Sequence, residues 1–144
     1  MIRVLIVDGQ AEVRRGLRMR LGIEPDLTVV GETGNVEEAL ALAQTLHPDA
    51  VVIDVGRRDP DSVNIVRYLR QANPMAAIVV LTVHGDEDTR ARVHAAGAHA
   101  FLEKRGGAAD LLQAIRQLTA RPLVEPGCAA TDPLAVRRQS VGCA

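Results

Sequence analysis

Five short apolar runs recur along the chain at a nearly constant step. They are Ile2–Val7, Leu27–Val30, Ala50–Ile53, Ala77–Leu81 and Ala100–Leu102, and their starts lie 25, 23, 27 and 23 residues apart. Each step is long enough for a strand, a crossover helix and two turns. The runs are rich in Val and Ile and nearly continuous rather than alternating. That pattern suits strands buried on both faces of a parallel sheet.

The segments between the runs carry helical spacing. Val13, Leu17 and Leu21 recur every four residues, and Val36, Ala39, Leu40 and Ala43 form a second stripe. Asn35 followed by Glu38 resembles a capping box with Asn as the cap. Ile65, Val66 and Leu69 make a third stripe, opened by Asp61 and Ser62 and closed near Asn73–Pro74. A fourth helix is expected from Asp86 to Ala96, with an acidic first turn that complements the helix dipole and Gly97 as its stop. Its apolar face is the weakest of the set. Leu111, Ile115 and Leu118 mark a fifth helix. Five βα units in succession predict a doubly wound α/β sandwich with helices on both faces of a five-stranded parallel sheet. The pattern ends near Ala120. Residues 122–144 hold three Pro, two Gly and many small residues, and read as a C-terminal tail too short for a second domain.

Composition removes several function classes. With 144 residues the chain has the size of one domain. The net charge of −1 offers no basic excess for nucleic acid, so no direct DNA binding is expected. No apolar run approaches the roughly 18 residues of a membrane span, so no membrane partner is expected. Tyr68 and Phe101 are the only aromatics, which excludes a base-stacking platform. Cys128 and Cys143 lie far out in the tail without a C-x-x-C pattern, which fits a reducing cytoplasm.

Ligands of open parallel sheets bind beyond the carboxyl ends of the strands. Asp8 follows the first run, Asp54 the third, Thr82 the fourth, and Lys104 stands one residue beyond Glu103 after the fifth. Each alone is an ordinary turn former, cap or surface group. Together they gather two acids, a hydroxyl and an ammonium at one edge, a set suited to phosphoryl transfer onto a carboxylate. Asp54 is the candidate nucleophile, Asp8 a holder of a divalent cation, and Thr82 and Lys104 contacts for phosphoryl oxygens. Lys104 is the single Lys beside 16 Arg, which points to a need for a compact charge at that position.

These residues and their surroundings resemble the receiver domain of bacterial two-component response regulators, in the NarL/LuxR-type group. The stretches IRVLIVDGQAEVRRGL, VVGETGNVEEAL, HPDAVVID, IVVLT and GAHAFLEK carry the resemblance, which covers roughly residues 2–120. It implies a flavodoxin-like fold with strand order 2-1-3-4-5 and a receiver over residues 1–121. It implies Asp54 as phosphoacceptor, Thr82 and Phe101 as switch residues, Lys104 as the phosphate-contacting lysine, and Mg²⁺ held by Asp8, Asp54 and the carbonyl of Gly56. It also implies a sensor histidine kinase as donor and a protein target on the face of the fourth helix, fifth strand and fifth helix. Receivers can also form homodimers through that switch face. The phosphoacceptor would catalyse its own phosphotransfer and dephosphorylation rather than act as a conventional enzyme.

The departures cluster at the metal side. Gly9 stands where the family has its second acid, Gln10 where this group often has His, Gly56–Asp61 in place of the usual Met-Pro-Gly turn, and Arg105 where a Pro follows the lysine. Losing one carboxylate predicts weak Mg²⁺ binding. Glu12, Asp59 or Asp61 would be substitute ligands, and Arg57 or Arg58 substitute charges, against the plainer reading of each as a loop or helix-start group. His84 would sit at the mouth of the site. Arg14, Arg15, Arg18 and Arg20 read by default as a solvated basic face. Three functions stay open on these residues: a stand-alone receiver that is phosphorylated on Asp54, a phosphorylation-deficient pseudo-receiver that acts as an interaction module because of Gly9, and a flavodoxin-like cofactor binder. The third lacks a Ser/Thr-rich phosphate cradle after the first strand.

Overall fold

Strands form where the five apolar runs lie. In the computed structural model they are β1 (Ile2–Val7), β2 (Leu27–Thr33), β3 (Ala50–Asp54), β4 (Ala77–Thr82) and β5 (Ala100–Glu103). The helices between them are α1 (Ala11–Gly22), α2 (Val36–Leu46), α3 (Pro60–Ala72), α4 (Glu87–Ala96) and α5 (Ala108–Ala120), with a short 3₁₀ turn over Lys104–Gly106. The structure describes residues 1–54, 60–82, 85 and 87–120. The expected tail over 122–144 and the residues Gly56, Arg57, Arg58, Asp59, His84 and Asp86 lie outside the described residues, as do the side chains of Asp61 and Arg105.

All strands pair in parallel, in the order β2-β1-β3-β4-β5. This is the doubly wound, flavodoxin-like plan, with the order reversing between β1 and β3. Two apolar layers cover the sheet. On one face Leu5, Val51, Ile53, Ile78 and Val80 pack with Ala39, Ala43, Val66, Leu69 and Val93 of α2, α3 and α4. On the other, Val4, Ile6, Val52 and Val79 pack with Leu21 of α1 and Leu111, Leu112 and Ile115 of α5.

The expectation of strands buried on both faces holds for the centre only. All six residues of β4 are buried, whereas β2 and β5 are half-exposed along most of their lengths. Each outer strand has one neighbour, so its free edge faces solvent whatever its sequence. β2 also carries an extra residue, because the register slips from Val4↔Val29 to Leu5↔Gly31. The unpaired residue is Val30, and Gly31 after it resumes the pairing with Leu5. A Cβ on Gly31 would lie 2.9 Å from Leu46 Cδ1 and 3.3 Å from Leu5 Cδ1.

Local capping follows the sequence at two points. The Asn35 side chain accepts a hydrogen bond from the Glu38 N–H at 3.0 Å, as the capping pattern requires. Gly97 ends α4 with φ of +116°, a conformation that favours glycine. The stripe expected on α1 is thinner than the spacing suggests: Leu21 is buried, while Val13 and Leu17 are half-buried.

His99 serves the sheet through its backbone and its side chain. Its N–H donates to the Ile78 carbonyl at 2.8 Å, and its Nδ1 accepts from the Ile78 N–H at 3.0 Å. An accepting Nδ1 must be unprotonated. Burial, and then the charge of Arg70, holds the His99 pKa below its ordinary 6.5. The unfolded chain therefore takes up this proton at a higher pH than the folded one. The stabilisation is complete above about pH 6.5 and is lost as pH falls through the lowered value. The urea midpoint should drop between about pH 7 and 5.5 more steeply for the wild type than for His99→Gln. Equal slopes would refute the assignment.

Candidate phosphoacceptor site

The carboxyl ends of β1, β3, β4 and β5 meet at one edge of the sheet, and their last residues supply the polar groups. Asp8 follows β1 directly and is only 2% exposed. A buried carboxylate needs partners. Its Oδ1 accepts from the Gln10 N–H at 2.9 Å, and its Oδ2 accepts from Lys104 Nζ at 2.9 Å. Lys104 begins the 3₁₀ turn after β5. Its ammonium also lies 3.1 Å from Asp54 Oδ1 at the end of β3, so one cation bridges both acids. Thr82 ends β4 beside them and is buried.

The electrostatics follow from this bridge. Burial raises the Asp54 pKa above its ordinary value and the nearby Asp8 charge adds to the rise, while the hydrogen bond and charge of Lys104 work against it. For Lys104, burial works against the charged form. The hydrogen bonds and charges of Asp8 and Asp54 outweigh it and hold the ammonium above its ordinary pKa. The result is a half-buried carboxylate with a cation in contact, arranged before any substrate arrives.

The metal side was tested against the same geometry. Asp8 and Asp54 approach each other across Lys104, and a Cβ on Gly9 would meet no described residue within 4 Å. Among the described residues no group of three or more His, Cys, Asp or Glu is placed to hold a metal ion. Two carboxylates at a phosphoryl site still fit Mg²⁺, which keeps most of its shell as water and phosphate oxygen. Glu12 is exposed on α1. The substitute ligand Asp59 and the Gly56 carbonyl lie outside the described residues, as does the side chain of Asp61.

Phe101 of β5 is half-buried and packs against the core layer under α4. The guanidinium of Arg90 on α4 stacks over its ring, 4.9 Å from the centroid. Gly85 lies against the same ring; a Cβ there would be 2.9 Å from Phe101 Cε2. No sequence motif marks either neighbour.

The default of a solvated basic face is correct for Arg15 and Arg18, which are exposed. It fails for Arg14. Its Nη1 donates to the Asp8 carbonyl at 2.7 Å, and its side chain is 21% exposed.

The response regulator receiver domain matches residues 4–116. The chain belongs to that family. This receiver is 34% identical over 131 residues to the DNA-binding transcriptional activator DevR/DosR of Mycobacterium tuberculosis, covering 90% of this chain and 60% of that protein. It is 31% identical over 121 residues to the nitrate/nitrite response regulator protein NarL of Escherichia coli, covering 84% of this chain and 56% of the relative. The chain thus spans a little over half the length of these relatives. Among solved structures, a two-component response regulator of the LuxR family from Aurantimonas is 28% identical with a TM-score of 0.75, covering 96% of this chain and 97% of that one. The receiver is a module of two-component signalling, of the NarL/LuxR type. Among the described residues no helix is long and apolar enough to cross a membrane.

Proposed function

We propose that this receiver accepts a phosphoryl group on Asp54 from a sensor histidine kinase in the cytoplasm and signals through protein contacts. The observation that carries the reading is the Lys104 bridge between Asp8 and Asp54, at the sheet edge where such folds bind their ligands. An Asp54 carboxylate oxygen attacks phosphorus, and the new O–P bond forms as the P–N bond to the donor imidazole breaks. The imidazole leaves with the electron pair. Lys104 and the Thr82 hydroxyl each take a phosphoryl oxygen. Asp8, Asp54 and the carbonyl of Gly56 would hold Mg²⁺, with affinity lowered by Gly9. When bound, the metal neutralises phosphoryl oxygens.

In this reading the receiver unit runs over residues 1–121 and acts through protein contacts. Phosphorylation draws Thr82 inward and repacks Phe101. That shifts the face of α4, β5 and α5 between two states, one of which binds a protein target or a second copy.

The chemistry has a direct signature. An acyl phosphate is cleaved by hydroxylamine, whereas a phosphate ester on Ser or Thr is not. After treatment with acetyl phosphate and then hydroxylamine, the label should be lost and a hydroxamate should map to Asp54. A hydroxylamine-stable label would contradict the assignment.

A further inference from the structure

We infer that Arg14 is a positioning residue for Asp8, acting through the Asp8 carbonyl and seated by Gly34. The inference rests on the reading of Asp8 and Asp54 as one phosphoryl site. Asp8 ends its strand and is followed by Gly9, which has no side chain to anchor the backbone beyond it. The guanidinium of Arg14 reaches back from the first turn of α1 and donates to the Asp8 carbonyl at 2.7 Å. Its Nε is buried without a hydrogen-bond partner, 3.8 Å from Glu32 Oε1 at the end of β2. A buried donor left without a hydrogen-bond acceptor costs stability. The chain tolerates that cost to keep this guanidinium under the Asp8–Gly9 peptide.

Gly34 makes the seat. A Cβ at that position would lie 2.6 Å from Arg14 Nη1, 3.1 Å from the Asp8 carbonyl oxygen and 3.4 Å from Gly9 Cα. Only a residue without a side chain admits the guanidinium beneath the peptide. The Asp8 carboxylate, held on the same residue by the Gln10 N–H, is thereby aimed at Lys104. Arg14 touches no reacting atom; it fixes the backbone from which Asp8 works.

Lys104 is the only lysine, so protein labelled with ¹⁵N-lysine reports one ammonium, and no metal or phosphate is needed to see it. The wild type should show a protected Lys104 ammonium signal at neutral pH. Arg14→Met should lose it, and the maximal rate of phosphorylation by acetyl phosphate should fall about tenfold, with the half-saturating donor concentration little changed. Arg14→Gln keeps one N–H for the carbonyl and should restore most of both. Gly34→Ala keeps the arginine but evicts its guanidinium, and should lose the ammonium signal and slow phosphorylation as Arg14→Met does. Lowered thermal midpoints with an unchanged ammonium signal in Arg14→Met and Gly34→Ala would overturn the inference. An ammonium signal lost in the variants, with no phosphoryl adduct on the wild type, would uphold the positioning and defeat the phosphoacceptor reading instead.

Discussion

Replacing Lys104 by Met is expected to slow phosphorylation of Asp54 by roughly two to three orders of magnitude, the usual cost of removing one preorganised contact to developing charge. Lys104 contacts both acids, at 2.9 Å from Asp8 and 3.1 Å from Asp54. Its loss removes a phosphoryl contact and leaves two carboxylates facing each other. The pH dependence should change as well. Lys104 opposes the rise that burial imposes on the Asp54 pKa, so its removal lets that value climb further. Asp54 must be ionised to attack. The acid limb of the rate profile therefore moves to higher pH in Lys104→Met. Lys104→Arg keeps a charge but substitutes a planar fork for a point charge, and should recover only part of the rate. A wild-type rate and an unmoved acid limb in Lys104→Met would refute this role.

Gly9→Asp is expected to tighten Mg²⁺ binding about tenfold or more, equivalent to roughly 1.4 kcal/mol. The new carboxylate would stand next to Asp8, and a Cβ at position 9 meets no described residue within 4 Å. The substitution therefore adds a ligand without displacing one. Isothermal titration of Mg²⁺ into both proteins reads the difference directly. Equal affinities would show that position 9 does not face the metal, and the expectation of a weakened site would fall with it.

The central sheet was legible because its signal is local. Six consecutive buried residues in β4 need no more than their own sequence to be read. The gathering of charged groups at the sheet edge was legible for a topological reason: parallel strands bring their carboxyl ends together, so Asp8 and Lys104 could be placed at one edge although 96 positions separate them. What stayed hidden depends on shape between distant elements. Arg14 sits among three other arginines of α1, and nothing in that helix marks it as turned inward. The cause lies in Gly34, on the loop after β2. Arg90 over Phe101 is the same kind of case, a contact between α4 and β5 with no sequence motif. The half-exposure of β2 and β5 came from their place at the edges, which residue type does not reveal.

The most direct test of the account is the intact mass of the protein after incubation with acetyl phosphate, with and without Mg²⁺, for the wild type and for Asp54→Ala. The account predicts a single phosphoryl adduct on the wild type that needs Mg²⁺, grows with its concentration well above the level at which Gly9→Asp saturates, and is absent from Asp54→Ala. An adduct that persists in Asp54→Ala, or no adduct on the wild type even at high Mg²⁺, would contradict it.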